Sequence, residues 1–146
     1  MAKMIPLIGS SEAGPLGAMH LPRLWLKVTL SAAGALNEEY DACGAGFDQM
    51  VLDGLGVDRD AAVAYLTNEK PTYPQFEQWV LDQNGGSIDQ SVIDASNAAI
   101  AGYNHGDDIV SAISSAAGTN ADGAITDAVT LNALEDWNEI HGEVTG

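Results

Sequence analysis

The sequence predicts an all-α fold, and three observations carry that expectation. Apolar residues recur at three- and four-residue spacing, no stretch alternates apolar and polar residues over the length of a strand, and Gly, Pro or Asn separates segments of helical length. With 146 residues and a hydrophobic content of 46%, the chain can bury a core as one domain. The expected organisation is a flexible N-terminal arm over residues 1–17, a compact bundle of six to seven short helices over 18–141, and a frayed tail over 142–146.

Residues 1–17 mix Gly, Ser and Pro with no helical or strand period, hence the arm. The first helix is expected from Leu21, with Pro22 in its first turn, Leu24, Trp25 and Val28 at helical spacing, and Gly34 as a stop. Asn37, Gly44 and Gly46 then mark an irregular loop around Glu38, Glu39, Tyr40 and Cys43. Phe47, Met50, Val51 and Leu52 form a short apolar helix that closes at Gly54-Leu55-Gly56, where glycine permits positive φ. Asp58 caps a third helix through Ala62 and Leu66 that ends before Pro71.

Pro74 opens a fourth helix carrying Phe76, Trp79 and Val80, stopped by Asn84-Gly85-Gly86. Ser87 and Gln90 have the spacing of a capping box before a fifth helix that runs to about Tyr103. Asp107 and Asp108 lie near the positive end of a sixth helix, which stops at Gly118. Thr126 or Asp127 starts the last, whose apolar face of Val129, Leu131, Leu134 and Trp137 leaves Glu135, Asp136 and Glu139 toward water.

Five basic residues face twenty-one acidic ones, for a formal net charge of -16, which disfavours nucleic acid and anionic membrane as partners. One cysteine rules out an intramolecular disulfide and a Cys-rich zinc cage, and the start is too short in apolar residues for a signal segment or membrane span, so a cytoplasmic location is expected. No phosphate-binding glycine loop, nucleophile elbow or paired-His zinc motif occurs, and no cofactor is expected.

Three local features bear on function. Arg23 and Lys27 lie four apart on the first helix, where like charges repel by roughly 0.3 kcal/mol. They form a notch for the carboxylate or phosphate of a small anionic ligand, or they bridge to Glu38, Glu39 or Asp48. Residues 118–129 match the middle of a calcium loop through Asn120, Asp122 and Gly123. The first and twelfth ligand positions, however, fall on Gly118 and Val129, and an Asx turn accounts for the same residues. His105 with Asp107 and Asp108 is a second metal candidate, lacking a fourth ligand in sequence. Glu39, Tyr40 and Cys43 are an acid, base and nucleophile set in principle, although the acidic surroundings blunt a thiol and favour a buried structural role for Cys43.

Leu16-Gly17 and the stretch Leu21-Pro22-Arg23-Leu24-Trp25-Leu26-Lys27, with Gly34, Glu39-Tyr40, Cys43 and Phe47-Asp48-Gln49-Met50 through Gly56-Val57, resemble the small bacterial family known as domain of unknown function 5069. Phe76 to Val80 and Leu134-Glu135 fit it more loosely. The chain departs from that pattern at Thr29, where the family carries a further Arg, at Gly44, where it carries a Pro after the Cys, and in the spreading of Gly-Glu-Tyr by Asn37 and Glu38. The resemblance implies a helical fold with no assigned activity and the motif positions Arg23, Lys27, Glu39, Tyr40, Cys43 and Asp48. The functional expectation is a binding or interaction module for a small anion or a protein partner, with a metal-linked protein or an enzyme as alternatives.

Overall fold

In the computed structural model, residues 2–118 and 125–146 are described, and they form seven helices with no strand. These are α1 (Leu21–Ala32), α2 (Phe47–Gly54), α3 (Arg59–Glu69), α4 (Tyr73–Asp82), α5 (Gln90–Ala101), α6 (Asp107–Ala116) and α7 (Ala128–Thr145). None of them is long and apolar enough to cross a membrane.

Local chemistry fixes most of the boundaries. Pro22, which has no N–H to leave unpaired, sits in the first turn of α1; at the other end Gly34 adopts φ 70 and the Ala35 N–H turns back to the Leu30 carbonyl at 2.8 Å. Asp58 caps α3 by accepting from the Ala61 N–H, and Asp127 does the same for α7 from Thr130, each at 2.9 Å. Thr72 and Gln75 form a reciprocal capping box at the start of α4. The box expected from Ser87 and Gln90 does not form: Asp89 occupies the cap position, and the Gln90 amide donates to Asp94 one turn on.

α1 is the central element, packed against α2, α3 and α4; α2 also packs on α5, and α7 on α5 and α6. Leu21, Leu24 and Val28 of α1 meet Val51 and Leu52 of α2, Leu66 of α3, Phe76 and Val80 of α4, and Ile93 and Ile100 of α5 in one core. Each fully buried Leu or Phe contributes about 1.5–3 kcal/mol.

Both expected termini differ from the structure. The N-terminal segment is seated rather than loose: Ile5, Pro6 and Ser10 are buried, the Met4 N–H donates to the Ala35 carbonyl at 2.6 Å, and Asn37 donates back to Met4 at 2.9 Å. Its backbone groups are satisfied by distant partners, so the segment needs no periodicity of its own. At the other end, α7 continues to Thr145, beyond the expected fray point.

Candidate functional site

The two bases of α1 face two different carboxylates. Lys27 donates from Nζ to Asp48 Oδ2 at 2.5 Å, and Asp48 also accepts from the Gly44 N–H at 2.7 Å. Its other oxygen lies 2.6 Å from His20 Nε2. Arg23 instead reaches Asp136 of α7, Nη1 to Oδ2 at 2.6 Å and Nη2 to Oδ1 at 3.0 Å, while Nη1 also donates to the Pro6 and Ile8 carbonyls at 2.8 and 2.9 Å. The Tyr40 hydroxyl donates to Asp136 Oδ1 at 2.9 Å, and its ring lies 5.8 Å from the Arg23 guanidinium carbon. Asp136, expected to face water, is only 2% exposed. A buried Arg needs a carboxylate more than the polar face of α7 needs a charge.

An ionised Asp48 can only accept, so His20 Nε2 carries a proton, and neutral His20 accepts the Ser10 hydroxyl at Nδ1, 3.0 Å away. Ser10, His20 and Asp48 thus form a hydrogen-bonded chain of the residue types found in hydrolytic triads. Ser10 is 1% exposed, however, and is not in the lining of the cavity that His20 and Asp48 border, so its hydroxyl is closed off from a substrate there. His20 itself is held at φ 74, a left-handed backbone uncommon for a residue with a side chain, at the cap of α1.

Above these pairs lies a cavity of about 560 Å³, within the size range of small-molecule sites. Its floor carries His20, Arg23, Lys27 and Asp48; Glu39, Tyr40 and Asp41 come from the α1–α2 loop, and Asn132 and Glu135 from α7. One wall is an edge-to-face aromatic row, His20 to Phe47 at 5.4 Å, Phe47 to Tyr103 at 5.9 Å, and Tyr103 to His105 at 5.9 Å. Met50 and Ile109 add apolar surface.

The site sets its own protonation states. Burial alone would raise the Asp48 carboxyl, but the His20 hydrogen bond and the Lys27 charge bring it down to about 2. Burial lowers His20 below 6.5 against the pull of Asp48. Burial and then the Asp136 charge raise the Tyr40 phenol and the Glu135 carboxyl. Burial, followed by Asp48, raises the Cys43 thiol.

Of the sequence-derived candidates, Arg23, Lys27, Glu39, Tyr40 and Asp48 line this cavity. Cys43 does not; it lies on the far side of the 41–45 loop in a shallower groove, where its carbonyl accepts from Arg59. His105 lines the cavity, whereas Asp107 and Asp108 border a separate surface depression, and among the described residues no cluster of three His, Cys, Asp or Glu has the geometry to hold a metal. The ligand positions Asn120 and Asp122 of the calcium-type loop lie outside the described residues. The helical pattern of the α7 sequence turns Asp136 toward water, and nothing near His20 in sequence marks its role, because its partners lie 10 and 28 residues away. No protein-family model, curated protein or solved structure matches the chain.

Proposed function

We propose that this chain is a small-ligand binding module, whose cavity takes an anionic group of the ligand onto Lys27 and Arg23. The observation that carries the reading is that both bases line the same partly open cavity with donors to spare. Lys27 has three N–H donors and gives one to Asp48, while Arg23 has five and directs its Nη atoms to Asp136 and two carbonyls, leaving Nε and one Nη2 hydrogen. Their charges are already balanced, which lets them lie nearly buried without a ligand.

Acid–base and nucleophilic chemistry is less well supported. Both ring nitrogens of His20 are engaged, Tyr40 is committed to Asp136, and Cys43 faces elsewhere with a raised thiol pKa. A cytoplasmic setting, and kinship with the domain of unknown function 5069 family, complete the proposal, the first on the single free cysteine and the second on the Arg23 to Asp48 motif positions.

Thermal melting with millimolar acetate, phosphate and 3-phenylpropionate tests the reading. A ligand of the native state raises the melting temperature, by about 2.7 kcal/mol of stabilisation at a hundred times its dissociation constant. The expected result is a rise with at least one of the three that is lost in Lys27→Met. No rise with any of these three or with phenylalanine, whose ammonium offsets the acids that also line the cavity, overturns the proposal.

A further inference from the structure

The anion seat is only half of the cavity. Glu39, Asp41 and Glu135 also line it, and no side chain among the described residues makes a hydrogen bond or ion pair to any of the three carboxylates. With Asp48 in the floor, the lining holds four carboxylates against the two bases, so a ligand bearing negative charge alone meets net repulsion beyond its contact with Lys27. Glu135 is the most telling of the three. It is half-buried in α7 beside buried Asp136, and only Arg23 and His105 offset that proximity. A carboxylate left without a partner in a partly enclosed volume is costly, and a cationic group in the cavity removes that cost. The aromatic row supplies the second, independent requirement: Phe47 and Tyr103 line the same space, and an ammonium that comes over an aromatic face there is attracted by the ring quadrupole.

We propose that the ligand carries a paired charge, an anionic group on Lys27 and Arg23 and an ammonium held between Glu135 and the Tyr103–Phe47 wall, the chemistry of an amino acid or another small amine-bearing acid. This rests on the anion-seat reading and adds the second charge. The ligand's own cation offsets the rim acids, so binding leaves the cavity's charge balance unchanged while satisfying both the spare donors of the floor and the unpaired acceptors of the rim. The volume of about 560 Å³ accommodates a body as large as an aromatic amino acid.

The test uses matched compounds that differ by one group: alanine against propionate, leucine against 4-methylpentanoate, and phenylalanine against 3-phenylpropionate, with 2-phenylethylamine as the amine alone. Affinities are measured by calorimetry on the full chain, and again on Glu135→Gln. The expected result is that at least one amino acid binds tenfold or more tighter than its deaminated acid, and that Glu135→Gln removes this advantage while leaving the acid's affinity unchanged or raised. Glu39→Gln provides the same comparison should the first variant fold poorly. Equal binding of acid and amino acid, or an advantage that survives both substitutions, overturns the paired charge and leaves the anion seat standing. Binding of 2-phenylethylamine as tight as phenylalanine overturns the anion seat instead. No binding by any compound overturns both.

Discussion

Arg23 and Lys27 stand one turn apart on the same helix, yet their surroundings differ in kind. Arg23 is held by Asp136 from α7 and by carbonyls of Pro6 and Ile8, so one guanidinium ties together α1, the C-terminal helix and the N-terminal segment. Lys27 reaches a single carboxylate, Asp48 of α2, and its ammonium borders the cavity. The planar fork of Arg suits a fixed multidentate role, whereas the compact ammonium of Lys leaves donors for a changing partner. Two like charges that look equivalent in sequence thus differ in emphasis: Arg23 is foremost a structural clamp that lends its spare donors to the anion seat, and Lys27 is the group freer to change partner.

The same chemical change at the two acceptors separates these roles. Asp136→Asn leaves a 5% exposed guanidinium without counter-charge and with one good acceptor in place of two, and loss of a partner from a buried pair costs about 3–5 kcal/mol. Asp48→Asn also removes a charge, but Lys27 borders the cavity and can recruit water or an anion there, so the expected cost is about 2 kcal/mol. Urea denaturation at neutral pH measures both. A cost at Asp48 equal to or above that at Asp136 would break the distinction. Arg23→Met with Asp136→Leu should recover most of the loss, since apolar replacement of a buried pair is often neutral.

The fold was legible because helix ends are local. Pro22, Asp58, Pro74 and Asp127 act within three residues of their own position, and each boundary stands near where those residues put it. The cavity was legible only in part. Arg23, Lys27, Tyr40 and Asp48 lie in the motif-like stretch, but the Asp136 that completes the Arg23 clamp lies 113 residues away in a helix whose sequence pattern turns it outward. The N-terminal segment failed for the same reason: its bonds go to Arg23, Ala35 and Asn37, and no local period records them.

The dependence of stability on pH sharpens the comparison from the Asp48 side. The folded His20 pKa lies below 6.5, so the folded chain resists a proton that the unfolded chain accepts; stability is fully present above 6.5 and falls as the pH drops through and below that value. The folded Asp48 pKa is about 2 against 3.8, so its contribution is present above 3.8 and is lost as the pH falls toward 2. Acid titration of the unfolding free energy should show both steps in the parent chain. In Asp48→Asn the upper step should remain and the lower one shrink to the part that Asp127 supplies, its carboxyl also being held below the ordinary value by the Thr130 hydrogen bond; persistence of the lower step unchanged would assign it to carboxylates other than Asp48.

The smallest expected effect concerns Ser10, whose place beside His20 and Asp48 invites a catalytic interpretation that its burial opposes. Its hydroxyl donates to His20 Nδ1 and holds the ring in the tautomer that donates to Asp48, so Ser10→Ala removes one neutral hydrogen bond and should cost about 1 kcal/mol. Because His20 still donates to Asp48, and Asp48 still holds Lys27, ligand affinity in the cavity should change by less than about twofold, a difference below 0.5 kcal/mol. Melting temperature and calorimetric affinity on the same variant check both halves. A tenfold loss of affinity with little loss of stability would mean that the polar chain from Ser10 through Asp48 tunes the ammonium of Lys27 rather than merely supporting it, and the division between clamp and binding group would then extend into the N-terminal segment.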